Sequence, residues 1–404
     1  MRRVKVLFVN LVYGTGSTGK IIADIMNLLK KYGNDVKALY GTGACTDNAD
    51  TVKVSGKLEY YFHNAVSRFT DHAGLYSWAA TRKIIREIRA FQPDLIHLHT
   101  LHGFYVNYEM LFRFLKEANI PVIWTLHDCW PFTGHCSYYS FIKCERWKNE
   151  CFDCPQKRNY PASILFDRSR SNYWDKRKEF TSVRRMVLVP VSNWLAGELS
   201  SSFLKDISIQ VIHNGIDIDV FSPFNSVKAE HKLNNKFVII GVANNWVARK
   251  GLGEFLKLSK MLDEDEIIVL VGLSANQAKN LPGNIIGFCR VGNTGQLANL
   301  YSSADVFFNP TFEDNFPTTN LEALSCGIPV ITYHTGGSTE AIDDHTGYVV
   351  EQGNIQDALW AIREVKRKGK SHFLPLCRER AVRFFNKYER YDDYIKLYKK
   401  MLNS

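Results

Sequence analysis

The feature that most constrains the fold is a repeated alternation of short apolar runs and helical stretches. In the first half, VKVLFVN, NDVKALYG, DLIHLHT and VIWTLHD have the composition of strands, and residues 20–32 have the apolar spacing of a helix. The second half repeats the pattern with FVIIGVAN, EIIVLVGL, NIIGFC, DVFFNP and PVITYH. Short apolar runs separated by helices are typical of parallel sheets with helices on both faces. The sequence therefore predicts an α/β protein with two doubly wound sheets.

The length and composition of the chain agree with this prediction. A chain of 404 residues is too long for one ordinary core, so we expect two domains, residues 1–208 and 209–404. No apolar run approaches the roughly 20 residues that a membrane helix needs. The first apolar run is short and continues directly into a glycine-rich turn, which favours a buried strand over a signal peptide. We therefore expect a cytoplasmic protein.

The most informative single segment is residues 309–337, NPTFEDNFPTTNLEALSCGIPVITYHTGG. We interpret it as a strand end, an acidic loop, a helix with Pro317 in its first position, and a second strand. Glu322, one turn into the helix, is placed to reach ribose hydroxyls, so the segment suits a sugar nucleotide. The free N–H groups at the helix start suit a phosphate, and they belong to Thr318, Thr319 and Asn320.

With Asp314 eight residues before Glu322, this segment resembles the carboxylate-x7-carboxylate motif of retaining glycosyltransferases of family 4. The resemblance is to members that build bacterial surface polysaccharides such as colanic acid, O-antigen and capsule. It implies the GT-B fold, in which two Rossmann-like doubly wound domains face a cleft. It also implies that Glu322 holds the donor ribose and that Asp314 contacts the donor hexose, with Glu313 as the alternative to Asp314. An ordinary helix with acidic residues near its start is the simpler interpretation.

The resemblance also assigns roles to the two domains. Residues 1–208 would bind the acceptor, and residues 209–404 would bind the nucleotide-sugar donor. The last helix, which contains YDDYIKLYKKML, would pack back on the first domain.

A glycine-rich turn, GTGSTGK at residues 14–20, joins the first strand to the first helix. It fits the start of a P-loop, but Ile21 stands where a Ser or Thr should bind magnesium. A P-loop kinase or ATPase is therefore disfavoured. The resemblance implies instead that the turn contacts donor phosphates or acceptor, through Gly16, Ser17 and Gly19.

His127 follows a predicted strand at its carboxyl end, where open α/β sheets place ligands. The resemblance implies that this histidine contacts the donor sugar near the reacting carbon. Three other histidines lie close by in the sequence: His97, His99 and His102. The alternative for His127, and for each of these, is a histidine of the core or of a loop whose hydrogen bonds are satisfied within the protein.

Arg249 and Lys250 follow the first strand of the second half. The family places an arginine and then Lys-Gly after this strand, with both cations on the donor diphosphate. Lys250-Gly251 matches, but Asn244 or Asn245 occupies the arginine position, and Arg249 is the candidate to replace that charge. Cations suit this position because the leaving diphosphate gains charge in the transition state.

The cysteines are clustered. Five of the nine fall between residues 129 and 154, within an insertion of about residues 129–158. In a cytoplasmic chain this favours a metal over disulfides. Spacing predicts a structural zinc ion with His135 as a competing ligand, and the four predicted ligands are Cys136, Cys144, Cys151 and Cys154. Buried free thiols are the alternative. The resemblance implies no catalytic metal.

The positive charge is concentrated in two segments. Residues 142–185 hold 12 Lys and Arg against 6 Asp and Glu, and residues 363–400 hold 13 against 5. Such segments attract anionic lipid headgroups or nucleic acid, or form solvated helix faces. In the first segment six aromatic residues alternate with the cations, as in nucleic-acid stacking surfaces: Trp147, Phe152, Tyr160, Phe166, Tyr173 and Trp174.

The sequence thus predicts a retaining hexosyltransferase that uses a UDP- or GDP-sugar donor and a glycan or lipid-linked acceptor in cell-surface polysaccharide synthesis. Peripheral contact with the inner face of the membrane is expected, and a nucleic-acid partner is not. The alternative is a zinc-stabilised basic protein that binds nucleic acid.

Overall fold

The computed structural model describes residues 3–45, 48–224, 233 and 236–403. The chain divides into two compact units. Unit 1 comprises Met1–His213 and Tyr391–Ser404, and unit 2 comprises Asn214–Arg390. The division after His213 lies slightly beyond the predicted boundary near Ser208, because the short strand Ser208–Ile209 still pairs with the first sheet.

Unit 1 contains a seven-stranded parallel sheet in the order β3-β2-β1-β4-β5-β6-β7. Its strands are β1 (Lys5–Asn10), β2 (Asp35–Tyr40), β3 (Thr51–Lys53), β4 (Leu95–Leu98), β5 (Val122–Leu126), β6 (Met186–Pro190) and β7 (Ser208–Ile209). Its helices are α1 (Gly16–Lys31), α2 (Lys57–Thr70), α3 (Trp78–Phe91), α4 (Tyr108–Ala118), α5 (Ser169–Phe180) and α6 (Asn193–Ser200).

Unit 2 contains a six-stranded parallel sheet in the order β10-β9-β8-β11-β12-β13. Its strands are β8 (Phe237–Val242), β9 (Glu266–Val271), β10 (Ile285–Phe288), β11 (Val306–Asn309), β12 (Val330–Tyr333) and β13 (Gly347–Val350). Its helices are α7 (Leu252–Leu258), α8 (Ala275–Lys279), α9 (Thr294–Ser303), α10 (Thr318–Ser325), α11 (Ile355–Lys368) and α12 (Lys370–Phe385). The last helix, α13 (Lys387–Asn403), lies mostly in unit 1.

The central strands of both sheets are almost completely buried. The side chains of β4 and β5 are buried along the whole of each strand, as are those of β11 and β12. Parallel strands covered by helices on both faces have this continuous apolar character. The two predicted doubly wound sheets are confirmed.

Helix α13 completes the core of unit 1. Tyr394 and Tyr398 are 2% exposed and belong to the same apolar cluster as Val6 and Phe8 of β1 and Ile25 of α1. The hydroxyl of Tyr398 also forms a 2.7 Å hydrogen bond with His97 Nδ1 in β4. The C-terminal segment is therefore part of the core of the first unit.

Local differences from the prediction occur at element ends and sheet edges. Helix α1 begins at Gly16 rather than at residue 20, because Thr15 is extended and the glycine turn continues directly into the helix. Pro317 is the N-cap of α10, not its first helical residue. The edge strands β3 and β13, of three and four residues, are too short to give a periodic signal.

In each sheet the strand order reverses between two central strands, β1 and β4 in unit 1 and β8 and β11 in unit 2. Open α/β sheets bind ligands at the carboxyl ends of the strands beside such a reversal. We therefore expect a site in the loops after these strands and after β5, which lies next to β4.

Candidate functional site

In unit 2, the loops after β8 and β11 are joined by side-chain and backbone contacts. Lys250 Nζ forms an ion pair with Asp314 Oδ2. Beside it, Arg249 Nη1 donates to the carbonyl of Glu313 at 3.0 Å, and the N–H of Phe312 donates to the carbonyl of Arg249 at 2.7 Å. The Lys250 and Asp314 side chains remain 23% and 17% exposed, so a ligand can reach both.

The structure distinguishes Asp314 from Glu313, the two candidates for the first carboxylate of the motif. Glu313 is fully buried, whereas Asp314 is half-buried and faces Lys250. Asp314 is therefore the carboxylate that a ligand can contact. The bond from Arg249 to Glu313 also shows that Arg249 points into this loop and not away from it.

Two glycines allow these loops to approach each other closely. Gly251 has φ +78°, and a Cβ there would lie 2.1 Å from the carbonyl oxygen of Pro310. Gly336 has φ +49°, and a Cβ there would lie 2.0 Å from the carbonyl oxygen of Asp314. Both positions need a left-handed backbone and have no room for a side chain, so glycine is required at each.

The N-terminus of α10 lies after the same loop. Thr318 and Thr319 are half-buried at its start. The prediction that the N–H of Asn320 is free was wrong, because that group donates to the carbonyl of Pro317 at 3.2 Å. The Asn320 side chain is also buried and donates to the Ser338 carbonyl at 2.9 Å. Asn320 thus fixes the loop, and only Thr318 and Thr319 offer N–H groups to an anion.

Glu322 is half-buried on α10 and accepts a 2.9 Å hydrogen bond from the hydroxyl of Tyr301 in α9. Burial, and then the nearby Glu322 carboxylate, raise the pKa of Tyr301 well above its usual value, so this hydroxyl stays protonated and donates. Tyr301 orients Glu322. No sequence pattern indicates this contact, since Tyr301 lies in a different helix and in no motif.

In unit 1, the glycine turn follows β1 as predicted. Gly16 and Ser17 are exposed at the start of α1, and Gly19 is buried beneath the turn. The N–H of Gly14 donates to the carbonyl of Gly19 at 3.0 Å. Gly16 and Ser17 can therefore face a ligand, while Gly19 has a structural position.

His127 lies directly after β5 and pairs with His99, which follows β4. His99 Nδ1 and His127 Nε2 are 3.0 Å apart, and the two rings are stacked with an interplanar angle of 15°. Burial lowers the pKa of His127 to about 4, so the imidazole is neutral near pH 7. A neutral imidazole can donate or accept a hydrogen bond with a sugar hydroxyl.

The other two histidines have different positions. His97 is fully buried between Thr125 Oγ1, at 2.8 Å, and Tyr398, and so belongs to the core. His102 Nε2 is 2.5 Å from Asp128 Oδ2, next to His127 in the chain. Although burial opposes it, the charge of His102 holds the pKa of Asp128 below its usual value. This His102–Asp128 pair beside His127 was not recognised from the sequence as a pair.

The predicted four-cysteine zinc site is not assembled in the structure. The Cys136 and Cys154 thiols are hydrogen-bonded to each other, and Cys151 Sγ accepts from the N–H of Gly134 at 3.2 Å. A zinc site needs four ligand atoms around one ion, at about 2.3 Å each for sulfur. Within the described residues, three or more candidate ligand atoms within 4.8 Å of one another occur only at Asp263, Asp265 and Glu266.

A buried lysine supports the cysteine-rich insertion instead. Lys176 is 1% exposed, and its Nζ donates to the carbonyls of Trp130 at 2.8 Å and Thr133 at 2.9 Å. The same Nζ lies 3.5 Å from the centre of the Trp130 ring. Burial lowers the pKa of Lys176 to about 7.

Two of the six aromatic residues proposed for nucleic-acid stacking are in the core. Trp147 and Tyr173 are each 1% exposed, so they cannot stack on bases. The other four are exposed. Across the part of the chain that the structure describes, no helix is long and apolar enough to cross a membrane.

Comparison with known families identifies the class. Residues 19–220 match the model "Glycosyltransferase Family 4", and residues 224–373 match the model "Glycosyl transferases group 1". The chain therefore belongs to glycosyltransferase family 4. The nucleic-acid-binding alternative has no support in these matches.

Among curated proteins, the chain is similar to WcaC of Escherichia coli, a colanic acid biosynthesis glycosyl transferase, with 25% identity over 66% of each chain. It is also similar to the capsular polysaccharide biosynthesis glycosyltransferase CapM of Staphylococcus aureus, with 24% identity over 39% of this chain and 46% of CapM. The matches thus span 66% and 46% of these relatives' own length.

Solved structures show the same fold. Sucrose-phosphate synthase from Thermosynechococcus elongatus superimposes with a TM-score of 0.74 at 16% identity, covering 99% of this chain and 100% of that one. HepE from Anabaena in complex with UDP-glucose gives a TM-score of 0.69 at 15% identity, covering 98% and 100%. The predicted GT-B architecture of two Rossmann-like units is confirmed.

Proposed function

We propose that the protein is a retaining glycosyltransferase that moves a hexose from a UDP- or GDP-sugar to a glycan or lipid-linked oligosaccharide in cell-surface polysaccharide synthesis. The observation that carries this proposal is the accessible group in unit 2 that contains Lys250, Asp314 and the start of α10. The names of WcaC, which include colanic acid biosynthesis, and of CapM, which include capsular polysaccharide biosynthesis, support the pathway class.

The donor diphosphate would bind at the switch point of unit 2, which is the place where the strand order reverses between β8 and β11. Its oxygens would accept hydrogen bonds from the N–H groups of Thr318 and Thr319 and from the Lys250 ammonium. These are the donors that the loops after β8 and β11 and the helix start leave accessible. Glu322, oriented by Tyr301, would accept from the ribose hydroxyls. Asp314, which holds Lys250 in place, would contact the hexose.

In the reaction, the bond between the anomeric carbon and the diphosphate oxygen breaks, and the nucleoside diphosphate leaves with the electron pair. The acceptor oxygen forms the new bond on the same face of the sugar, and its proton passes to the departing phosphate. Lys250, Arg249 and the helix N–H groups stabilise the charge that develops on the leaving group. His127 in unit 1, neutral near pH 7, would orient the hexose.

We also propose a cytoplasmic location with peripheral membrane contact. None of the nine cysteines, all of which lie in the described residues, is in a disulfide, which is typical of a reducing compartment. The structural zinc ion stays a prediction, and measuring the zinc content of the purified protein tests it. About one zinc ion per chain, lost in Cys154→Ser, would support the site. Fewer than about 0.1 zinc ions per chain would refute it.

A thermal-shift experiment tests the function. A ligand that binds only the folded state raises its melting temperature. We expect UDP or GDP, but not CMP, to stabilise the wild type and to have no effect on Glu322→Ala. The matched control is Glu364→Ala, which removes a half-buried glutamate paired with the exposed Arg367 in unit 2. Equal stabilisation of all three proteins, or stabilisation by none of the nucleotides, would overturn the proposal.

A further inference from the structure

Helix α2 in unit 1 presents its apolar face to solvent. Leu58 is 88% exposed, and Phe62 and Phe69 are each 51% exposed. The residues that this helix buries are the polar His63 and Ser67. This is the reverse of an ordinary surface helix, whose apolar stripe faces the core. The exposed stripe follows the i, i+4, i+7, i+11 spacing of one helix face: Leu58, Phe62, Ala65 and Phe69.

Specific hydrogen bonds fix this orientation. His63 Nδ1 lies 2.6 Å from Ser77 Oγ, and the N–H of Gly74 donates to His63 Nε2 at 3.0 Å. On the next turn, Glu59 accepts from the N–H of Ala79 at 2.8 Å at the start of α3. Because the polar side of α2 is engaged in this way, its apolar side cannot turn inward without losing buried hydrogen bonds.

A loop extends the apolar stripe beyond the end of α2. Ile164, Leu165 and Phe166 are 56%, 59% and 55% exposed. The N–H of Ile164 donates to the carbonyl of Arg68 at 2.6 Å, so the loop lies against the last turn of the helix. We call the combined feature the α2 ridge, and it consists of Leu58, Phe62, Phe69, Ile164, Leu165 and Phe166.

Cations surround the α2 ridge. Apart from the buried Lys176, residues 157–178 contain six Lys and Arg against two Asp. Arg168 lies 6.0 Å from the centre of the Phe166 ring, and Arg177 lies 5.0 Å from that of Trp174. Arg68 is exposed on α2 itself. Phe166, Arg168 and Trp174 also line one surface depression of about 520 Å³.

The other basic segment, residues 363–400, has a different character. Lys366 pairs with Asp265 at 2.8 Å and with Glu266 at 3.0 Å. Arg380 pairs with Asp343 at 2.6 Å. Much of its positive charge is therefore neutralised within unit 2. The large apolar side chains that residues 363–400 expose are Phe384 and Tyr388, at 43% and 46%, whereas the α2 ridge exposes six at 51% or more.

We propose that the α2 ridge docks unit 1 on a membrane surface that contains anionic lipid. The apolar side chains would enter the interface between headgroups and acyl chains, and the surrounding cations would contact the phosphates. Association with a second copy of the chain is disfavoured, because it would bring equal positive charges together. Nucleic acid is disfavoured, because half of the α2 ridge is aliphatic and has no aromatic face for bases, namely Leu58, Ile164 and Leu165. The proposal rests on the peripheral membrane contact proposed above and adds the surface that makes it, and its test does not depend on sugar transfer.

The test is co-sedimentation of the full chain with lipid vesicles. We expect binding to vesicles of phosphatidylcholine with phosphatidylglycerol, and little binding to phosphatidylcholine alone. The combined variant Ile164→Ser/Leu165→Ser/Phe166→Ser should lose at least about tenfold in partitioning, because three inserted side chains are removed. Arg68→Gln/Arg168→Gln should weaken binding and make it less sensitive to salt.

Trp360→Ser is the matched control, since Trp360 is an apolar residue of unit 2 with 58% exposure. It should bind vesicles like the wild type, and all variants should keep the wild-type melting temperature and nucleotide stabilisation. Wild-type binding by the triple variant, or no preference for phosphatidylglycerol, overturns the proposal. A dimer in light scattering that dissociates in the triple variant, or displacement from vesicles by an oligonucleotide, overturns it as well.

Discussion

The two units have different kinds of side chain at the carboxyl ends of their central parallel strands. In unit 2, the residues at the switch point are charged and partly accessible, with Lys250 against Asp314. In unit 1, the strand ends have two neutral imidazoles, with the buried His99 against the half-buried His127. A charged site suits a diphosphate, and a neutral hydrogen-bonding site suits sugar hydroxyls. The difference between the units therefore fits a division of work between nucleotide and sugar.

The largest expected effect is at the charged site. We expect Lys250→Ala to lower kcat by about 100-fold or more, because removing one preorganised group that stabilises transition-state charge has this cost. Steady-state kinetics with the donor that thermal shift identifies checks this. Lys257→Ala is the control, since that exposed lysine pairs with Glu254 away from the switch point. Similar kinetics for the two variants would contradict the assigned role of Lys250.

The next effect concerns the loop that holds Asp314. Gly336→Ala should lower both the melting temperature and donor affinity, because its Cβ would meet the Asp314 carbonyl oxygen at 2.0 Å. Gly353→Ala has φ +81° but meets only a side-chain carbon at 3.9 Å. It should cost about 1 kcal/mol from backbone strain alone. If the two variants melt alike in differential scanning calorimetry, the close approach at Gly336 is not required.

Acid should affect unit 1 before unit 2. Burial lowers the pKa of His63 to about 3 and of His127 to about 4. Unfolded histidines bind protons below about pH 6.5, so the unfolded state takes up more protons and stability falls as pH falls from about 6.5 to 4. Hydrogen exchange at several pH values should show unit 1 amides losing protection first. Simultaneous loss in both units would contradict this expectation.

The smallest expected effect is at the partner of His127. We expect His99→Leu to lower kcat by only a few-fold with little change in nucleotide affinity, because it removes the hydrogen bond that orients His127 and leaves the diphosphate site intact. His99→Gln, which retains a hydrogen-bonding side chain, should recover part of the loss. Kinetics of both variants, with KM and kcat separated, check this. An unchanged kcat in His99→Leu would mean that His127 needs no orientation.

Particular residues show how far sequence reasoning reached. The motif of residues 309–337 led to Asp314 and Glu322 because strand, loop and helix there are consecutive in the chain. The contact of Tyr301 with Glu322 was missed because it joins two separate helices. Spacing also suggested four zinc ligands, whereas in the fold Cys136 is hydrogen-bonded to Cys154 and Cys151 accepts from the N–H of Gly134.

The sequence by itself determined the two parallel sheets, since buried strands need continuous apolar runs, and the family motifs, since these are local. Tertiary structure alone decided which groups are accessible. It buried Glu313 completely and left Asp314 partly accessible, paired His99 with His127, and turned the apolar face of α2 outward. These outcomes depend on contacts between residues far apart in the chain, which local patterns do not encode.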